Sequence, residues 1–185
     1  MPNWASVRYY LTSDNDEVVD LYNRMKRLQE MNAPLKPNGF GTTWLGNLVE
    51  DLGVEYGKVS CRGAWDGLDL NENVLSFSAE CAWYRCTEVE DLIKEKYPSI
   101  HIAFCCEEPG MAIYEKNDNH FFPEDYMIDI EDDDTSYCSE QAALVLLSDF
   151  FGIDFQDMDE AMVLVRENNE QDEGRVWVNK YELVE

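Results

Sequence analysis

Positive charge is scarce in this sequence: 14 Lys and Arg stand against 39 Asp and Glu in 185 residues, a formal net charge of −25. Direct binding to nucleic acid or to an anionic membrane is therefore disfavoured, because phosphate contacts need Lys and Arg to displace counterions. Histidine is nearly missing, with only His101 and His120. Long apolar runs are missing too. The longest, Ala142 to Leu147, is six residues, against roughly 20 for a membrane span. Met1-Pro2-Asn3-Trp4-Ala5-Ser6 has neither the basic nor the apolar stretch of a signal peptide, so a cytoplasmic location is expected. The six cysteines (61, 81, 86, 105, 106 and 138) are then expected to be free thiols.

Catalytic signatures are also lacking. No G-x-S-x-G, Walker or dinucleotide fingerprint occurs, and nothing pairs either histidine with a nucleophile. Paired C-x2-C knuckles are absent. Cys81, Cys86, Cys105, Cys106 and His101 could in principle converge on a metal, but adjacent Cys105 and Cys106 in a strand point to opposite faces. No catalytic residue, metal or cofactor is assigned on this reading.

What is present is ample core material, 45% apolar and 12% aromatic, in clear periodic segments. Ala5 to Leu11 alternates as a half-buried strand. Ser13 to Glu17 follows, with Asp14 and Glu17 at capping-box spacing, and opens a helix whose apolar face is Val18, Tyr22, Met25 and Leu28. Residues 32–41, with two prolines and two glycines, read as loop. A short helix from about Thr43 to Leu52 ends at Gly53. Lys58 to Trp65 reads as a strand, residues 66–73 as a polar hairpin connection, and Val74 to Trp83 as the return strand. Thr87-x-x-Glu90 is a second capping box before a helix with Val89, Leu92, Ile93 and Tyr97 aligned. Ile100 to Phe104 and Met111 to Glu115 are further strands.

This order predicts an α+β fold: a ferredoxin-like split βαβ sandwich with an inserted short helix and an extra edge strand. It spans residues 1–116. Residues 117–185 differ in character, with a polar break at Lys116 to His120 and an acidic run from Asp129 to Ser136. Two helices, about Ser139–Phe151 and Asp157–Asn168, and a strand from Arg175 to Leu183 complete a helix-helix-strand extension, expected to lean on the first domain. Charge divides unevenly. Residues 1–116 hold 19 acidic and 11 basic side chains, net −8, whereas residues 117–185 hold 20 and three, net −17.

The first 116 residues resemble the YubB-like proteins of bacterial plasmids, phages and other mobile elements. The likeness lies in Met1-Pro2-Asn3-Trp4 before a strand and in the block Trp44, Tyr56-Gly57, Trp65-Asp66-Gly67, Leu75-Ser76-Phe77 and Ala82-Trp83, followed by a helix and Ile100 to Tyr114. Ala5 stands where that family often has a cysteine. The resemblance implies a ferredoxin-like domain and a bacterial mobile-element setting, and carries over no catalytic residues.

The expected activity is that of a non-enzymatic protein-binding module whose acidic surface meets a basic protein. The expected partner surface comprises Glu131, Asp132, Asp133 and Asp134 of the acidic run, with Trp65, Trp83 and Tyr84 near the ends of the hairpin. The competing expectation is a small-ligand-binding or enzymatic domain using an open aromatic face of the sheet. Asp129, Glu131, Asp133, Thr135 and Glu140 match calcium-loop positions, but Asp134 replaces the glycine required for the sharp turn, so a solvated acidic loop is the favoured reading.

Overall fold

Alternation is strongest in β1 (Trp4–Thr12), where Ala5, Val7, Tyr9 and Leu11 are buried and their neighbours are not. The chain is described here by a computed structural model covering residues 3–130, 134–171 and 176–185. It is α+β and divides into two compact units, residues 1–113 and 114–185.

In the first unit β1 is central. It pairs antiparallel with β3 (Val74–Ala82) on one side and β4 (His101–Glu108) on the other, and β2 (Gly63–Asn71) adds antiparallel to β3. The strand order is therefore β2-β3-β1-β4. The faces carrying Val7, Leu75, Phe77 and Ile102 bury their side chains together with those of α1 (Glu17–Gln29), α2 (Leu45–Asp51) and α3 (Thr87–Lys96). Each such fully buried Leu, Ile or Phe contributes about 1.5–3 kcal/mol of transfer free energy.

Several local expectations are corrected. The buried stripe of α1 is Val18, Leu21, Met25 and Leu28, with Tyr22 only half-buried. Its N-terminus is not closed by Asp14 and Glu17. Instead Asn15 Oδ1 accepts from the Glu17 amide (2.8 Å) and Ser13 Oγ from the Val18 amide (3.3 Å). The second capping box does not form either: α3 has Cys86 at its cap position without a side-chain bond, because Glu90 is turned into the core. β2 starts five residues later than Lys58, after a 3-10 turn at Tyr56–Lys58, and runs through the expected connection to a tight turn at Glu72-Asn73. Asp66-Gly67 is the start of a register shift between Asp66 and Asp69 rather than a turn, with Gly67 at φ +65°. A glycine there accepts the positive φ at no steric cost. Gly46 has a different reason: a Cβ would lie 2.3 Å from the Trp44 ring folded over it.

The second unit holds two strands that periodicity did not reveal, β6 (Tyr126–Ile130) and β7 (Ser136–Cys138). Between Glu140–Phe151 (α4) and Val176–Lys180 (β8) lies α5 (Met158–Gln171). β6 pairs antiparallel with both β7 and β8. Ser139 caps α4 by accepting from the Ala142 amide (3.4 Å), and Asp157 accepts from Glu160 (2.9 Å) at the start of α5. The expected final strand is split at Tyr181. Its remainder, β9 (Glu182–Leu183), pairs in parallel with β5 (Ile113–Lys116), so the expected extra strand itself carries a partner. This unit has its own apolar cluster, including Ile128, Ala143, Leu147, Phe155, Ala161 and Val176. Among the described residues no helix is long and apolar enough to cross a membrane.

Candidate functional site

The most concentrated polar chemistry in the first unit lies inside it. Tyr9 on β1 and Phe77 on β3 project to the helix side, their rings stacked at 4.9 Å with 28° between planes. Tyr9 donates its hydroxyl to Glu90 Oε1 (2.7 Å), and Glu90 is only 5% exposed. The other carboxylate oxygen of Glu90 meets Arg85 Nη1 in a close ion pair. Arg85 comes from the turn between β3 and α3. Its guanidinium sits 4.0 Å over the Phe104 ring, and its Nε donates to the Tyr84 hydroxyl (3.2 Å). Stacking on an aromatic face lets the guanidinium be buried with part of its hydration replaced.

Burial sets the electrostatics of this group. It raises the Glu90 pKa more than the Arg85 cation and the Tyr9 hydrogen bond lower it. Burial also raises that of Tyr9, helped by the neighbouring Glu90 charge. At Arg85 burial opposes the charge, and Glu90 together with Tyr84 and Tyr9 more than offsets it. The thiols of Cys81 and Cys86 lie beside this network. The Cys86 hydrogen bond, followed by burial, pushes the Cys81 thiol far above its usual value. A thiol held protonated is a poor nucleophile and a poor metal ligand.

A cavity of about 20 Å³ adjoins the network, lined by Tyr9, Glu90 and Cys86 together with Leu45, Leu48 and Ile93. That is the size of one water molecule, so the group is a buried polar anchor between sheet and helix rather than a substrate pocket. Among the described residues no three His, Cys, Asp or Glu are grouped to hold a metal. Cys105 and Cys106 pair with Arg8 and Val7 on opposite faces of β4, and both are buried.

The expected partner residues of the first unit differ in exposure. Trp65 is buried (2% exposed) on the helix side, and its Nε1 donates to Gln29 Oε1 (3.2 Å). This corrects the expectation that it joins an open aromatic face. The sheet positions facing away from the helices on β1 and β3 are instead Arg8, Tyr10, Ser76, Ser78 and Glu80. Trp83 is 49% exposed just past β3, with φ +74°, and Tyr84 is half-buried against Arg85. Asp134 is exposed, while Glu131, Asp132 and Asp133 lie outside the described residues, as does any test of the calcium-loop pattern that uses them.

The second unit presents an acidic face that sequence reading located only by composition. Asp149, Asp154, Asp159, Glu160, Glu167 and Glu170 on and between α4 and α5 are all exposed. Arg166 is the single basic residue in the two helices. Amid these carboxylates, Val145, Phe150, Ile153 and Val163 are 40–57% exposed. The signal was available in α4: Glu140–Phe151 is apolar on nearly every side, a pattern more typical of a helix covered all round. No family model, curated protein or solved structure matches this chain.

Proposed function

We propose that this chain is a non-enzymatic protein-binding module whose second unit engages a basic partner through its acidic surface. The observation that carries the reading is the exposure of six carboxylates around α4 and α5 against one basic residue there, Arg166. Such a field steers cationic partners and repels nucleic acid. As part of the same proposal, the first unit is a ferredoxin-like domain related to the YubB-like proteins of mobile elements. Its support is the antiparallel order β2-β3-β1-β4 with helices between β1 and β2 and between β3 and β4, which is how a split βαβ unit is wound.

Immobilised full-length protein should retain basic proteins from a bacterial lysate at low ionic strength and release them steeply as salt rises. The triple variant Asp149→Lys, Asp154→Lys, Glu160→Lys should retain much less. If the wild type holds no basic protein at low salt, or the variant holds as much, the acidic-surface reading is wrong.

A further inference from the structure

The apolar residues on the acidic face are not scattered. Leu144 and Val145 of α4 line one hollow of about 270 Å³ with Ser148, Asp149, Asp154 and Phe155. Ile153, Val163 and Leu164 line another of about 320 Å³ with Glu160, and Phe155 belongs to both. Phe155, itself 7% exposed, lines both hollows, with the valines standing at the surface. Together the two hollows make an apolar depression along α4 and α5 whose lining also includes Asp149, Asp154 and Glu160.

Exposed valines at Val145 (57%) and Val163 (52%) do nothing for the core beneath, which is filled by Ala143, Leu147, Ala161 and Val165. A contiguous apolar strip bordered by charge is the usual form of a protein-docking surface. The rim chooses among occupants. A second copy of this chain would bring carboxylates against carboxylates, each copy carrying a net charge of −25, and like charges brought together oppose docking. A cationic occupant is attracted instead. Two neighbouring apolar hollows flanked by carboxylates suit an amphipathic helix, whose apolar anchors recur at i, i+3, i+4 and i+7 with cationic residues beside them.

We infer that the α4–α5 groove binds an amphipathic helix of a partner protein, its Leu/Ile/Met-type face against Val145, Phe155 and Val163 and its flanking Lys or Arg against Asp149, Asp154 and Glu160. This rests on the acidic-surface reading above and adds the form of the partner segment.

The test uses the full chain and three fluorescent peptides of about 18 residues, ~27 Å as helix. One is Leu/Lys with leucines on a single helical face. The second has the same composition scrambled so that no face forms. The third replaces each lysine of the first by glutamate. The patterned Leu/Lys peptide should bind about tenfold or more tighter than the scrambled one at about 0.15 M salt, and the glutamate peptide should not bind. The double variant Val145→Ser, Val163→Ser, whose circular dichroism and unfolding midpoint should match wild type, should lose the tenfold preference yet keep the scrambled peptide's affinity. Equal binding of both Leu/Lys peptides overturns the groove while leaving the acidic-surface reading intact. So does a preference unaffected by the serines. Self-association in sedimentation that the serines abolish assigns the groove to a second copy and also overturns it. If no lysine peptide binds even at low salt, the acidic-surface reading falls as well.

Discussion

Tyr9 and Glu90, 81 residues apart in sequence, share a 2.7 Å hydrogen bond that fastens the central strand β1 to helix α3. Glu90 thereby serves three partners at once: the phenol, the Arg85 guanidinium and, through Arg85, the Phe104 ring. Buried polar networks of this kind are worth most as a complete set, since a group left without its partner keeps the full cost of its burial.

Glu90→Gln keeps an acceptor for Tyr9 but leaves Arg85 without its counter-charge at a site where its side chain is 14% exposed. The expected loss is about 3 kcal/mol in urea unfolding at neutral pH. Arg85→Met combined with Glu90→Gln should be less damaging than the sum of the single changes, because neither charge is then orphaned. Additive losses would show that the two residues act independently.

Glu90 also shows what sequence periodicity could and could not deliver. Alternation placed β1 and β3 well, and β4 as far as Phe104 though it runs on to Glu108, and helical spacing placed α3, because those patterns follow from which face is buried. The same spacing made Thr87-x-x-Glu90 look like a helix start, and nothing local distinguishes a capping carboxylate from one whose partners lie on β1 and in the preceding turn. β2 was placed too early because Asp66-Gly67, normally turn chemistry, was absorbed as a bulge within the strand. β6 was hidden by its setting: Tyr126–Ile130 leads straight into the acidic run. Trp65 was grouped with Trp83 and Tyr84 by its place near the end of the hairpin, and that place does not tell which side of the sheet its ring takes. The acidic character of the second unit was legible from composition alone, but the groove within it required α4 and α5 to be placed side by side.

Trp83 occupies the left-handed region at φ +74°, its amide donating to Asn3 O (2.8 Å). That conformation costs an L-residue roughly 1–2 kcal/mol, and with half its ring in solvent the indole recovers little of it. Trp83→Gly should therefore raise stability by up to about 1 kcal/mol, after allowance for the extra freedom glycine has when unfolded. Trp83→Val should lower it. Thermal unfolding of both variants checks the pair, and a destabilised glycine variant would mean that the indole packs more productively than its exposure suggests.

Asp20 of α1 accepts from the Tyr97 hydroxyl (2.6 Å) and from Arg24 Nε (2.9 Å). These bonds, Tyr97 first, hold its pKa below the usual carboxylate value. A depressed carboxyl stabilises the fold above its unfolded pKa and loses that contribution as pH falls through the folded one. Asp20→Asn should thus cost stability at pH 7 and cost progressively less in acid, converging on wild type once the carboxyl is protonated. Its side chain is 53% exposed, so solvent screening keeps the effect at pH 7 below about 1 kcal/mol. Urea titrations at neutral and acid pH measure it, and a difference independent of pH would assign the loss to packing instead.

Lys116 of β5 is 2% exposed, and its ammonium donates to the carbonyls of Phe122 (3.0 Å) and Glu124 (2.6 Å), with Asp125 Oδ1 at 3.6 Å. One side chain thus closes the segment between β5 and β6 through two backbone carbonyls. Lys116→Met preserves the stem and its packing but removes the ammonium, so both carbonyls lose that donor. Each such loss costs about 1–3 kcal/mol, and about 3 kcal/mol in total is expected from chemical denaturation of the full chain. Amide exchange should quicken first at Tyr181, whose N–H is held by Asp125 O (2.9 Å) at the end of the same segment. A loss below about 1 kcal/mol, with Tyr181 protection unchanged, would mean that water replaces the ammonium at little cost.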